Sequence, residues 1–236
     1  MQASGFVLAG GASKRMGRDK ALLPFDGTTL VEHVAKIVCQ AVGSAPGSVA
    51  LVGDPDRLSH LGLPVFPDEL PGCGPLSGIY TALKITQTDW NVVVACDMPG
   101  VSADVLRALL RCAETADAER TGTESSSAAC NPAVGVPSIQ PRKPQRRSYV
   151  PAITTGHQPQ PLCCIAAVGP DGQPEPLCAA YHRRCLPVLA QAIRGQRFKM
   201  RDLLAELGAI GVPANASSLA NVNTPAEWAG FASKLT

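Results

Sequence analysis

The sequence predicts a three-layer α/β fold, with a mostly parallel sheet, helices on both faces and a small antiparallel part towards the C-terminus. Three observations predict it. Short apolar runs alternate with segments of helical periodicity through the first half of the chain. One run, residues 91–96 (NVVVAC), has almost no polar alternation, which marks a strand buried on both faces and therefore a parallel sheet covered by helices. The first run, residues 5–8, feeds directly into a glycine-rich loop, as does a strand whose carboxyl end meets a ligand.

The elements follow in order. Residues 5–8 form the first strand, and a helix over 30–42 sets Leu30, Val31, Val34, Ile37, Val38 and Val42 along one face. A strand over 49–52, a short helix over 55–61 and a strand over 64–66 come next. Pro67, Asp68, Pro71, Gly72, Gly74 and Pro75 then make a loop, with Pro75 suited to the first turn of a helix over 76–85. The strand 91–96 leads to a helix over 102–115 with Ser102 as its N-cap. Further on, 162–168 and 175–181 read as strands flanking the turn Pro170-Asp171-Gly172, which makes a hairpin. Helices over 186–193 and 200–207 and a short strand over 210–212 precede a last helix. That helix opens with Thr224-Pro225-Ala226-Glu227: a Thr N-cap, Pro at the first helical position and Glu at the third. The sum is Rossmann-like, with a nucleotide-type first half.

The pattern breaks over residues 121–161. This segment has seven prolines, Tyr149 as its one aromatic and no acidic residue after Glu124, while Arg142, Lys143, Arg146 and Arg147 form a basic cluster. Such a composition cannot bury enough apolar surface to offset its ordering entropy, so the expectation is a disordered insertion in one domain spanning 1–236. A contact with nucleic acid or another partner through 142–147 is the functional alternative to a solvated loop.

At 236 residues the chain suits one α/β domain. A net charge of +2 gives no general attraction for nucleic acid or anionic membranes, so any pull on phosphate must be local. No apolar run approaches the roughly 20 residues that span a bilayer. The N-terminal cations follow the first apolar stretch instead of preceding it, unlike a signal peptide, and a cytoplasmic protein is expected. Nine irregularly spaced cysteines without a C-x-x-C pair suit free thiols, not a disulfide framework. Cys163, Cys164, Cys178, His182 and Cys185 match no usual zinc spacing.

The chemistry concentrates in the stretch GFVLAGGASKRMGRDK. Leu8 and Ala9 end the strand, and Gly10 and Gly11 allow the backbone to turn with its N–H groups towards phosphate oxygens. Lys14, Arg15, Arg18 and Lys20 add mobile positive charge around the same place. The Walker A pattern fails, because Met16 stands where its second glycine would fall, and adjacent Gly10 and Gly11 rule out G-x-G-x-x-G. A second candidate is Asp97, just past the apolar strand. A carboxylate at that strand end is placed to hold Mg²⁺ against a nucleoside triphosphate. A third stretch is the Pro- and Gly-rich loop 67–78, which carries Asp68.

These motifs resemble the molybdenum cofactor guanylyltransferases. Residues 8–20 match the family signature L-A-G-G-x-S-x-R-M-G-x-D-K without a gap. The string Cys96-Asp97-Met98-Pro99 is similar to the family's magnesium-binding strand end, and Gly74-Pro75-Leu76-Ser77-Gly78, preceded by Asp68, to its nucleotide loop. Asn221-Val222-Asn223-Thr224-Pro225 is a fourth match, making Asn221 and Asn223 candidates for an acceptor or second metal contact. Residues 176–183 are similar to the family's acceptor-side strand. The likeness covers about residues 5–117 and 162–233 and implies a nucleotide-diphospho-sugar transferase-like fold. It also implies Mg²⁺-dependent transfer of GMP from GTP to the terminal phosphate of molybdenum cofactor (molybdopterin), with release of pyrophosphate.

On this reading Asp97 holds the metal, Arg15 and Lys20 stabilise charge on the reacting phosphates, and Leu8, Ala9, Gly10, Gly11, Lys20, Gly53, Asp68 and Asp97 contact the nucleotide. Gly53 and Asp54 stand where the family often has Asn after the second strand. The implied partners are GTP, the cofactor, cofactor-synthesis proteins and molybdoenzymes, with no nucleic acid and no membrane. Gly11 favours GTP, since cytidylyltransferase relatives usually show Ala-Ala-Gly. A cofactor cytidylyltransferase, another nucleotidyltransferase of the same fold and a non-catalytic cofactor delivery module are the alternatives.

Overall fold

The computed structural model describes residues 1–10, 19–124 and 162–232. Strand β1 (Ala3–Leu8) opens the chain. A two-stranded ribbon, β2 (Pro24–Phe25) and β3 (Thr28–Thr29), precedes helix α1 (Leu30–Val42). Then come β4 (Val49–Val52), α2 (Pro55–Leu58), β5 (Val65–Phe66), α3 (Pro75–Ile85), β6 (Trp90–Ala95) and α4 (Ala103–Glu124). The second part contributes β7 (Cys164–Val168), β8 (Pro174–His182), α5 (Leu186–Arg194), α6 (Met200–Glu206), β9 (Ile210–Pro213) and α7 (Pro225–Ala232).

Seven strands form one sheet in the order β5-β4-β1-β6-β8-β7-β9. β5, β4, β1 and β6 are parallel, β8 runs antiparallel to both β6 and β7, and β9 pairs parallel to β7. The predicted mostly parallel sheet with an antiparallel C-terminal part is therefore the one observed. Both faces are dry. Val7, Leu51, Val92 and Val94 face a core built with Val31, Val34 and Val38 of α1 and Leu106 and Leu109 of α4. Phe6, Val52 and Val93 face the other way, onto Leu76, Ile79 and Leu83 of α3, Leu189 of α5 and Leu203 and Leu204 of α6. Each such buried side chain contributes roughly 1.5–3 kcal/mol relative to exposure, so alternate residues of one strand stabilise opposite layers.

Local signals set several boundaries. Thr29 and Glu32 form a capping box on α1, the Glu32 carboxylate accepting the Thr29 N–H at 2.8 Å. Ser102 caps α4, accepting from the Val105 N–H at 3.4 Å, as the sequence suggests. The β2–β3 turn is an element the sequence reading omitted. Asp26 (φ 44°) and Gly27 (φ 75°) both take the left-handed conformation, which Asp-Gly supplies with little strain. The helix expected to end at 115 continues to Glu124, overlapping the start of the proposed insertion at 121–161. The reason is tertiary: Asp117, in the added turns, accepts from Trp90 Nε1 at 2.6 Å and from the Arg184 guanidinium at 3.3 Å. Residues 125–161, with the basic cluster, lie outside the described residues. Among the described residues no helix is long and apolar enough to cross a membrane.

Candidate active site at the carboxyl edge of the sheet

β1, β4 and β6 end side by side. The Ala9 N–H donates to the Val52 carbonyl at 2.9 Å, and the Cys96 N–H donates to the Leu8 carbonyl at 3.0 Å. Leu8 and Ala9 thus have backbone groups occupied within the sheet, and Gly10 is the first residue to leave it. A Cβ added at Gly10 would meet nothing within 4 Å among the described residues. Gly53 differs: a Cβ on it would come within 3.2 Å of the Ala9 carbonyl and 2.9 Å of Leu58 Cδ1, so glycine lets the β4 turn press against the β1 exit. Gly11, Lys14, Arg15 and Arg18 lie outside the described residues.

Lys20 begins a 3₁₀ turn (Lys20–Leu22) capped by Asp19. Its ammonium donates to Asp97 Oδ2 at 2.9 Å and to Asn223 Oδ1 at 2.9 Å. Three residues remote in sequence meet at one point. With side-chain exposures of 12% for Lys20 and 25% for Asp97, the pair is shielded enough to interact more strongly than a surface pair. Asp97 Oδ1 has no partner among the described residues. The Asp97 carbonyl accepts the Val222 N–H at 2.9 Å, tying the last loop to the β6 exit. α7 holds that loop in place: Glu227 accepts from the N–H groups of Asn223 (2.6 Å) and Thr224 (3.0 Å), bonds that hold its carboxyl below the usual range. Trp228 and Phe231 pack on Phe25 of β2 with ring centroids 5.7 and 5.8 Å apart. The unforeseen ribbon therefore supports the helix that positions Asn223.

The other candidates sit as follows. Asp68 is half-buried on the β5–α3 loop, where Oδ1 accepts from the Leu70 N–H at 3.2 Å and from the Ser77 hydroxyl. It is bonded to its own loop and to the first turn of α3, not to Lys20. Asn221 is exposed and makes no hydrogen bond among the described residues. Sequence reasoning missed Arg57, which donates Nε to Asp19 Oδ2 at 2.7 Å, and Glu175 at the start of β8. Burial pushes the Glu175 carboxyl above its ordinary value, and the charge on Asp97 adds to that, against the Leu177 N–H and Arg201. The register makes the proximity intelligible: Val94 pairs with Cys178, and Asp97 and Glu175 each lie three residues further towards the same edge. No single motif encodes that pairing.

A cysteine nucleophile finds no support in this environment. Burial, with the Asp97 charge next, pushes the Cys96 thiol up to about 12, and burial pushes Cys178 up to about 12, so neither is a thiolate near neutrality. The groups that meet at the edge are instead a cation, a carboxylate and an amide oxygen, a set suited to phosphate and hard metal ions.

The sheet order and the parallel strands that end at this edge define an open, mostly parallel α/β protein. CMP:2-keto-3-deoxy-manno-octonic acid synthetase in complex with CTP shares the fold at TM-score 0.63 and 13% identity, covering 100% of this chain and 98% of that one. Molybdopterin-guanine dinucleotide biosynthesis protein A of Archaeoglobus fulgidus shares it at TM-score 0.62 and 22% identity, over 98% of both chains. Residues 5–210 match the MobA-like NTP transferase domain, and the chain belongs to that family. A relative from Bacillus cereus (strain B4264), named probable molybdenum cofactor guanylyltransferase, is 28% identical over 95% of this chain and 93% of its own. One of the same name from Carboxydothermus hydrogenoformans is 39% identical over 111 residues, 47% of this chain. In that comparison the chain spans about half, 54%, of the relative's length.

Proposed function

We propose that the protein transfers GMP from GTP to the terminal phosphate of molybdopterin, releasing pyrophosphate. The observation that supports this best is the meeting of Lys20, Asp97 and Asn223 at 2.9 Å contacts on the carboxyl edge of the sheet. The names of the curated relatives point to the same reaction.

An oxygen of the acceptor phosphate attacks the α-phosphorus of GTP, the bond from that phosphorus to the bridging oxygen breaks, and its electron pair leaves with pyrophosphate. The nucleophile is already an anion, so no side chain needs to take a proton, and catalysis reduces to positioning and charge stabilisation. Lys20, joined by Arg15, balances charge on the α-phosphoryl group and pyrophosphate. The backbone at Gly10 receives the phosphates, and Asp68 reads the guanine edge. Gly53 acts by allowing the β4 turn to close on Ala9.

The residues fit Mg²⁺. Asp97 offers an unpartnered Oδ1 at a strand end, and no group of three His, Cys, Asp or Glu stands ready to enclose an ion among the described residues. A hard cation there would complete its shell with phosphate oxygens and water, which is the habit of Mg²⁺. Bound in that way, it would neutralise phosphate charge in the transition state. Asn223 holds Lys20 beside this position, and Asn221 is a candidate contact for the acceptor or a second metal.

The test is to incubate the purified protein with Mg²⁺, molybdopterin and each of GTP, CTP, ATP and UTP, following nucleotide incorporation and pyrophosphate. GTP-dependent incorporation is expected. A preference for CTP would reassign the base specificity, and absence of pyrophosphate with every nucleotide would overturn the reading.

A further inference from the structure

Residues 10 and 19 flank the stretch 11–18, and both flanks rest on one turn. On the first side, Ala9 is bonded to the Val52 carbonyl and pressed by Gly53, whose own N–H is held by the Phe66 carbonyl at 2.9 Å. On the second side, Arg57 donates Nε to Asp19 Oδ2 at 2.7 Å and adds a second bond from Nη2 to the same oxygen. Gly53 and Arg57 belong to the same short segment. Asp54 caps α2 by accepting the Asp56 N–H at 3.0 Å, and that cap orients the turn bearing Arg57. Asp19 meanwhile accepts the Ala21 N–H with Oδ1 at 3.1 Å, closing the 3₁₀ turn that begins at Lys20.

We infer that Arg57 is a positioning residue for nucleotide binding, acting through Asp19 on Lys20. The inference rests on the proposed function, in which Lys20 faces the nucleotide phosphates. Asp19 precedes Lys20 in sequence, so an uncompensated carboxylate there would compete with Asp97 and Asn223 for the ammonium and would repel a polyphosphate. Arg57 removes both effects while leaving Oδ1 free to cap. The guanidinium suits this task, because its fork sends two N–H groups to one oxygen, whereas an ammonium would supply charge without fixing direction. The pair is partly shielded, with side-chain exposures of 32% for Arg57 and 24% for Asp19, so solvent does not screen it as fully as a surface pair. The β4–α2 segment thus packs on Ala9 and holds Asp19.

The experiment measures binding of Mg·GTP by calorimetry without acceptor, then steady-state kinetics, for wild type, Arg57→Met, Arg57→Lys, Asp19→Asn and the double variant Arg57→Met/Asp19→Asn. Arg57→Met should weaken Mg·GTP binding by about tenfold, raising KM more than it lowers kcat. Arg57→Lys should recover part of the loss. The double variant should recover most of it, because the unbalanced carboxylate is gone while Asn still caps the turn. Wild-type affinity in Arg57→Met would overturn the inference, and so would a double variant no better than Arg57→Met. Thermal melting accompanies each variant, and a loss of affinity that merely tracks lost stability across the set also overturns it. If wild type binds no nucleotide with Mg²⁺, the nucleotidyl-transfer reading itself falls, an outcome distinct from any difference among the variants.

Discussion

The two ends of β6 use the same chemical ingredients for opposite purposes. At its start, fully buried Trp90 donates to Asp117, Arg184 pairs with the other Asp117 oxygen, and the ring of buried His182 meets Trp90 edge-on with centroids 5.1 Å apart. Just past its end, Lys20 bridges Asp97 and Asn223, and among the described residues one Asp97 oxygen has no partner. Both are clusters of a carboxylate, a cation and a third polar group drawn from distant parts of the chain. The first joins α4 to the sheet and has both carboxylate oxygens engaged. The second sits where the chain leaves parallel strands. Topology, more than composition, separates a staple from a site.

That contrast can be broken in order of effect. Trp90→Ala should cost about 3–5 kcal/mol of unfolding free energy, by lost burial and the loss of one of the hydrogen bonds to Asp117, while leaving the kinetic constants of the folded protein near wild type. Denaturant unfolding beside an activity assay checks it. Asp97→Ala should do the reverse, lowering turnover with Mg²⁺, GTP and molybdopterin by at least about a hundredfold with little change in melting temperature. Wild-type turnover in that variant would remove Asp97 from the mechanism. Asn223→Ala, which takes one acceptor from Lys20, should reduce kcat/KM by about tenfold. Should melting temperature fall instead, the amide is structural.

Glu175 tests the comparison from the acid side. Burial raises its carboxyl in the folded state, so the folded form holds this proton more tightly than the unfolded one, and stability declines as pH rises from the unfolded value through the folded one. Glu175→Gln should therefore raise the melting temperature at pH 7 and lose that advantage at pH 4. An unchanged or lowered melting temperature at pH 7 would show that Arg201 and the Leu177 N–H outweigh the burial.

Much of this fold is legible in the chain because its signals are local. The all-apolar run before Asp97 identifies a doubly covered strand, and Thr224 with Glu227 marks the start of α7, where Thr224 Oγ1 accepts the Glu227 N–H at 3.2 Å. Asp26-Gly27 carries a hairpin signal of the same local kind. The extra turns of α4 were not readable in this way, since the partners of Asp117 lie at Trp90 and Arg184. The site divides similarly. Lys20, Asp97 and Asn223 could each be nominated from a motif, but Arg57 and Glu175 stand in no motif and acquire meaning only through Asp19 and the β6–β8 register.

By itself the sequence determined the layers, the glycine exit from β1 and the carboxylate after β6, because apolar period, turn chemistry and caps act over a few residues. Only the tertiary structure decided that β8 lies between β6 and β7, that Lys20 reaches across to Asp97 and Asn223, and that Arg57 holds Asp19. Those contacts depend on burying both faces of one sheet at once, a condition satisfied by the whole chain and by no segment of it.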